Sequence, residues 1–454
     1  CFFVRIMDHP TENVSPFVAG LAEVERLLHE GTSASADEAR VLAANLASDL
    51  RQTPDVGGPG SNDLLVALLT ARGHAERNVG LFVEAVQTYE AALSLLPETS
   101  DNSRERNRRA NLLTCRGLSL LTLRDDRSLA RALDSFDQSI AERSDSPDTT
   151  EAERWGLSAA WLNRADALAG LGGRERLHEA IESTGRAREI LEALGPDKHP
   201  PYRSRLALAW MKAGECASRL CTECGETIQE QAIAHHVEAV AVLRPGAEAG
   251  IEESRRMLAV ALCNLSRARL ILAKTGCPAG ETEAREALTW LGDAELSSPE
   301  MLTLGLTARI TAACHLESSR QDDECFLDLT DLAEEALAIA AEGRRRHGRH
   351  VVNAGLLGEL TRLGAHAYLI ASPAFLADFL LDLLDPERTE NHFADVAEVH
   401  EAAVRVLWRG IAEIQKEGFA GIGSEDYEAR RERLVDWEEC RERLAAIRDR
   451  YFTR

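Results

Sequence analysis

The chain has 454 residues and a formal net charge of −23, from 75 acidic against 52 basic side chains. A negative potential of that size repels phosphate backbones and anionic bilayers, so neither nucleic acid nor membrane is an expected partner, and a protein or peptide of basic character is. Hydrophobic residues make up 44% and aromatics only 5%, with Ala, Leu, Glu and Arg recurring throughout, which favours packed helices over sheets. No run approaches the 18 or so consecutive apolar residues of a membrane-spanning helix.

From the start of the chain, Cys1 to Met7 lacks the apolar stretch and small-residue cleavage site of a secretory signal. Two readings stay open there, an acylated Cys1 and a natural start at Met7. Val14 to Glu30 and Ala36 to Arg51 read as a first helix pair, with caps offered by Ser33 to Asp37, and Gly57-Gly58-Pro59-Gly60 reads as a linker. Residues 1–56 are therefore expected to form an N-terminal helical pair.

A repeating unit begins after the linker. Gly73, Gly80, Phe82, Ala85, Tyr89, Ala92 and Pro97 fall along two helical patterns, small where helices must approach closely and large where a gap must be filled, with Pro97 expected to end the second helix. Leu113, Gly117, Ala132 and Phe136 form a second unit. Trp161, Ala165, Ala180 and Ala187 form a third, and Trp210, Gly214, Ala232, Ala239 and Pro245 a fourth. The small residues 73, 117, 165 and 214 are spaced by 44, 48 and 49 positions, and the segments 160–164 and 209–213 are near copies. A fifth pair is readable in Ala261 to Ser266 followed by Glu281 to Leu291.

The first of these units resembles the tetratricopeptide family, in which a Trp or Leu precedes a Gly by four residues, Ala follows by twelve, an aromatic by sixteen, Ala by nineteen and Pro by twenty-four. Leu69, Gly73, Ala85, Tyr89, Ala92 and Pro97 match all six positions. The later units are elongated relative to the family. The resemblance implies an all-α, right-handed solenoid of antiparallel helix pairs over 62–296. The region 297–454 is expected to continue it through pairs at Glu300 to Ser318 and Cys325 to Glu342, then Val352 to Ile370, Pro373 to Leu384, Phe393 to Glu417 and Tyr427 to Tyr451. The last segment, with Glu428, Arg430, Arg431, Glu432 and Arg433 around Leu434, Trp437, Leu444 and Ile447, reads as a capping helix, because a solenoid end needs a polar outer face.

In such arrays the first helix of each pair lines the concave groove. The resemblance therefore implies ligand contacts at His74, Asn163, Asp166, Lys212, Glu215, Asn264 and Arg267. The ordered Lys/Asn/Arg set of the family's carboxylate-clamp members is not present, since Asp166 and Glu215 interleave with Asn163, Lys212, Asn264 and Arg267. A mixed-charge groove is the reading.

Three features invite chemistry. Cys216, Cys221 and Cys224, with His235 and His236 following and Cys277 in the corresponding turn of the fifth unit, have part of a zinc-ligand spacing, yet no second C-x-x-C completes it. Plain reduced thiols are the simpler account, as for Cys115, Cys263, Cys314 and Cys440. Ten cysteines are too few for a disulfide framework and fit a reducing cytoplasm. The run Arg344-Arg345-Arg346-His347-Gly348-Arg349-His350 is either a phosphate or acidic-segment contact, or a helix C-terminus whose cations complement the last carbonyls with Gly348 as the stop. Gly170 to Gly173 reads as an interhelical turn, because no strand precedes it and no Lys-Ser/Thr follows.

No nucleophile elbow, P-loop, H-E-x-x-H or dinucleotide fingerprint occurs. No catalytic residue, metal or cofactor is therefore assigned. The expected function is a non-catalytic scaffold or adaptor that binds a protein or peptide in its groove. The alternatives are a regulatory subunit of a separately encoded enzyme and a self-assembling structural protein.

Overall fold

The computed structural model describes residues 15–53, 59–143, 149–225, 227–272, 278–319, 323–348, 351–352, 354–371, 373–384, 397–420 and 441–450. Among them every regular element is helical, so the fold is all-α. The chain divides into two compact units, Cys1–Ile228 and Gln229–Arg454. The expected fourth repeat is thereby split, its first helix in one unit and its second in the other.

The first unit holds α1 (Ser15–Glu30), α2 (Ser33–Gln52), α3 (Pro59–Asn78), α4 (Phe82–Leu93), α5 (Ser103–Leu123), α6 (Asp126–Glu142), α7 (Glu151–Leu171), α8 (Arg174–Leu194) and α9 (Pro200–Cys224). Side chains that satisfy the unpaired first-turn N–H groups set several of the starts. Thr32 and Ser35 form a reciprocal capping box on α2, as do Thr150 and Glu153 on α7, while Asn102 and Asp125 cap α5 and α6. The Gly57–Gly60 linker is shorter than expected. Pro59 and Gly60 already belong to α3, where a proline at the start gives up only an N–H that the helix cannot use. Pro97 does not end α4, which stops at Leu93 with Ser94 as its C-cap. The turn at Gly172 and Gly173 is as read, both glycines adopting positive φ between α7 and α8.

Each helix packs on the next, and the odd-numbered helices α1, α3, α5, α7 and α9 also touch one another in sequence, whereas α4, α6 and α8 make no comparable contacts among themselves. Within the first unit the odd row therefore lies on the inner side of the curve. The pairs close around two glycines. A Cβ on Gly73 would lie 2.5 Å from Tyr89 Cε1, and one on Gly117 would lie 2.6 Å from Phe136 Cε1. Both rings are fully buried, each burial stabilising the fold by about 1.5–3 kcal/mol. In the third pair Arg164 bonds Ser183 Oγ at 2.8 Å, as Arg116 bonds Ser135 Oγ at 3.0 Å in the second. That register puts the small, buried Thr184 in the slot of Phe136. Ala165 replaces the glycine there, so neither half of the ring-on-glycine contact is kept.

The second unit holds α10 (Gln229–Glu248), α11 (Glu252–Leu272), α12 (Pro278–Leu291), a short 3-10 turn (Gly292–Leu296), α13 (Pro299–Ser319), α14 (Asp323–His347), α15 (Ala354–Ala371), α16 (Pro373–Leu384) and α17 (Ala397–Ala420). Here α11, α13, α15 and α17 form the contacting odd row. Pro245 lies inside α10 near its end rather than after it. Leu302, Leu306, Leu329, Leu360, Leu380 and Leu407 belong to one continuous core. Residues 441–450 are helical and place Leu444 and Ile447 in that core, with Arg443 paired to Asp378. The charged stretch Glu428 to Arg433, with Leu434 and Trp437, lies outside the described residues, as do Met7 and Cys440.

The arginine run follows its simpler reading. It closes α14, Gly348 takes φ +98°, Arg345 and Arg346 both pair with Glu342, and His347 Nε2 lies 3.0 Å from the Leu296 carbonyl oxygen. Arg344 is buried, while Arg345 and Arg346 stay exposed and share the one Glu342 carboxylate. Arg349 and His350 lie outside them.

Candidate recognition surface

The inner row of the first unit is cross-braced. Arg108 on α5 pairs with Asp63 on α3, Lys212 on α9 pairs with Asp166 on α7, and Arg219 on α9 donates to the Ala169 carbonyl at 2.7 Å. Arg205 on α9 donates to the Trp155 carbonyl at 2.9 Å, with its guanidinium 3.1 Å from the centre of the Trp155 ring. Burial lowers the Arg205 guanidinium to about 10, still high enough to keep it charged. These bonds fix the spacing of α3 against α5 and of α7 against α9.

Five of the seven residues that the resemblance implied lie in the first unit and two in the second, so they are two groups. Asp166 and Lys212 hold each other across α7 and α9. Asn163, half-buried one turn from Asp166, and Glu215, exposed one turn from Lys212, form no hydrogen bond or ion pair with described residues. His74 instead faces its own pair: its Nδ1 lies 3.0 Å from Tyr89 Oη, and burial pulls its imidazole down to about 4. In the second unit, Asn264 is half-buried on α11 and Arg267 is exposed one turn further on. Arg267 lies close enough to His236 to help hold that imidazole neutral, after burial as the main cause.

The cysteines do not assemble a metal centre among the described residues, where no three His, Cys, Asp or Glu converge. Cys221 and Cys224 sit in the last turns of α9, not in a lengthened loop, because the helix runs on to Gly225 in the left-handed conformation. Cys216 is buried and its thiol pushed up to about 12, and burial pushes Cys263 up to about 11, so both are protonated and poor nucleophiles at neutral pH. Cys277 lies outside the described residues. His235 and His236 are buried in α10, in the second unit.

A feature that periodicity did not single out lies at the start of α7 and α9. A hollow of about 680 Å³, lined by Glu151, Trp155, His199 and Tyr202 among others, opens to solvent there. Tyr202 donates to Glu151 Oε1 at 3.1 Å, its ring centre is 5.0 Å from that of Trp155, and His199 meets it edge-on at 5.1 Å. In a chain with so few aromatics, Trp155 and Tyr202 near the starts of consecutive first helices were the available signal.

No family model matches the chain, and no curated protein matches it. Among solved structures, the apo form of RapI is similar over 77% of this chain and 99% of its own, at 12% identity and a TM-score of 0.44. A Rap protein complexed with Competence and Sporulation Factor is similar over 96% of this chain and 99% of its own, at 13% identity and a TM-score of 0.41. Aspartyl phosphate phosphatase F from Bacillus subtilis covers 79% and 96% respectively, at 15% identity and the same TM-score. At these scores the likeness carries no argument about function. The description as an all-helical array of consecutive antiparallel pairs rests on the chain's own helices. None of those described is long and apolar enough to cross a membrane.

Proposed function

We propose that this protein is a non-catalytic scaffold that binds a protein or peptide segment along the inner row of first helices, with Asn163 and Glu215 among the contacts and Asp166–Lys212 as the brace that positions them. The observation that carries this reading is the cross-bracing itself. The first helices α3 and α5, and α7 and α9, are locked to one another by side chains, so the polar groups beside the α7/α9 braces are held in place before any ligand arrives, and preorganised surfaces lose less on binding. An acidic chain of this charge favours a basic partner through faster, oriented encounter. Asn264 and Arg267 are assigned to the corresponding face of the second unit.

The test is affinity capture from the native proteome by the full chain and by two variants. Asn163→Ala combined with Glu215→Ala should lose the captured partner. Arg186→Glu, on the exposed face of α8, should keep it. Equal capture by all three chains would remove the inner row from the binding surface, and recovery of small molecules alone would count against a protein-binding scaffold.

A further inference from the structure

The hollow at the starts of α7 and α9 has a chemistry that the surface around Asn163 and Glu215 lacks. Three tryptophans of the first unit each carry an arginine of the chain. Arg205 lies 3.1 Å from the ring centre of Trp155, Arg188 lies 3.7 Å from that of Trp210, and Arg164 lies 5.8 Å from that of Trp161. Among the described residues no arginine stacks on the Tyr202 ring, although Arg154 and Arg205 both lie close enough to act on it. The ring is held by Trp155 on one side, His199 edge-on at another, and its hydroxyl on Glu151, and it lines the open hollow. Glu151 is exposed and uses one carboxylate oxygen on Tyr202, leaving Oε2 as an acceptor at the rim.

An electron-rich ring face beside a carboxylate selects a cation, and a flat, weakly hydrated one more than a compact, strongly hydrated one. The geometry points to this hollow as a subsite for an arginine side chain of a peptide partner, its guanidinium against the Tyr202 ring and one N–H edge on the Glu151 carboxylate. Charge agrees in part. The whole chain is acidic, and Arg205 is already engaged on Trp155. Arg154 and Arg205 both lie near Tyr202 and oppose a further cation, so one side chain alone binds modestly. The inference rests on the scaffold reading only for the source of the arginine. The subsite stands or falls by its own chemistry.

The test uses the full chain and ligand-observed saturation-transfer NMR with three blocked tripeptides, Gly-Arg-Gly, Gly-citrulline-Gly and Gly-Lys-Gly. The arginine peptide is expected to bind at least about tenfold more tightly than its neutral citrulline isostere and several-fold more tightly than the lysine peptide. Glu151→Gln should cut the arginine-over-citrulline ratio to about threefold or less, and Tyr202→Leu should abolish arginine binding, with circular dichroism confirming unchanged helicity in both. Equal binding of arginine and citrulline, no binding of either, or a ratio that Glu151→Gln leaves intact would overturn the subsite. A lysine peptide that binds as well as arginine would overturn the guanidinium assignment. Arginine selectivity in a chain whose Asn163/Glu215 variant still captures every partner would leave the subsite standing and the inner-row reading refuted.

Discussion

At Gly73 and Gly117, in the first unit, the close approach of helices is filled by an aromatic ring, Tyr89 and Phe136 respectively. At Gly280 and Gly305, in the second, it is filled by a hydrogen-bonding side chain, His315 and Glu295. His315 Nε2 lies 3.0 Å from the Ser266 carbonyl oxygen, and Ser266 donates to the Gly280 carbonyl at 2.6 Å. Glu295 pairs with the buried Arg309, which also donates to Glu335 at 2.8 Å. Both solutions fill space. The Phe136 contact depends on shape alone and the Tyr89 contact adds one hydroxyl bond to His74, whereas the second pair holds only while its polar groups keep their partners and protonation states.

That contrast can be broken by substitution. Phe136→Ala should cost about 3–5 kcal/mol in urea unfolding, because the ring is fully buried against a glycine and the cavity cannot collapse. Arg309→Met should cost a similar amount, about 3–5 kcal/mol, by leaving Glu295 buried without its partner. The two should part in the rescue. Adding Glu295→Met to Arg309→Met should recover much of the loss, and a double variant as unstable as the single would mean that the second unit is not held by this ion pair.

Acid should separate polar from apolar packing next. His236 is buried, and burial first, then His235 and Arg267, depress its imidazole to about 4, below the unfolded value near 6.5. Its folded form is therefore fully compatible with pH above about 6.5, and stability is lost as pH falls from there through about 4. At pH 4.5 the loss should be about 2–3 kcal/mol relative to pH 7. His236→Gln should flatten that part of the profile, and an unchanged slope in the variant would assign the acid sensitivity elsewhere.

A smaller effect is expected at the ring-on-glycine contact itself. Gly117→Ala places a methyl 2.6 Å from the Phe136 ring edge and should cost about 1–3 kcal/mol, with no dependence on pH. The least costly change is in the inner row, where Asp166→Asn removes a partly exposed brace. It should lower stability by no more than about 1 kcal/mol, while loosening α7 against α9 enough to speed amide exchange in both helices.

The same contrast explains what could be read in advance. Tyr89 and Phe136 follow their glycines in the same order, 16 and 19 residues on, so the pairs α3/α4 and α5/α6 were visible in the order of small and large residues. Helix ends at Glu30, Pro373 and Leu384 were legible from caps, prolines and apolar runs. His315 and Glu295 could not be read this way, because a histidine or glutamate that fills a gap in the core looks identical to one on a solvated face until its partner, 49 and 14 residues away respectively, is known. Pro97 and Pro245 misled for a related reason. A proline cannot say which side of it the helix stops, and α4 ended early while α10 absorbed Pro245 in its last turn. The braces Arg108–Asp63 and Lys212–Asp166 were invisible as pairs, although Asp166 and Lys212 were each singled out by register. The aromatic hollow was missed because it forms at helix starts, away from the small-residue positions that the periodicity highlights.

The inner row of the first unit is proposed as the face that binds. Hydrogen exchange on the full chain, alone and saturated with its captured partner, tests this most directly. New protection concentrated on α7 and α9 around Asn163 and Glu215 is the predicted result. Protection confined to α6 and α8, or none anywhere in the first unit, would contradict it.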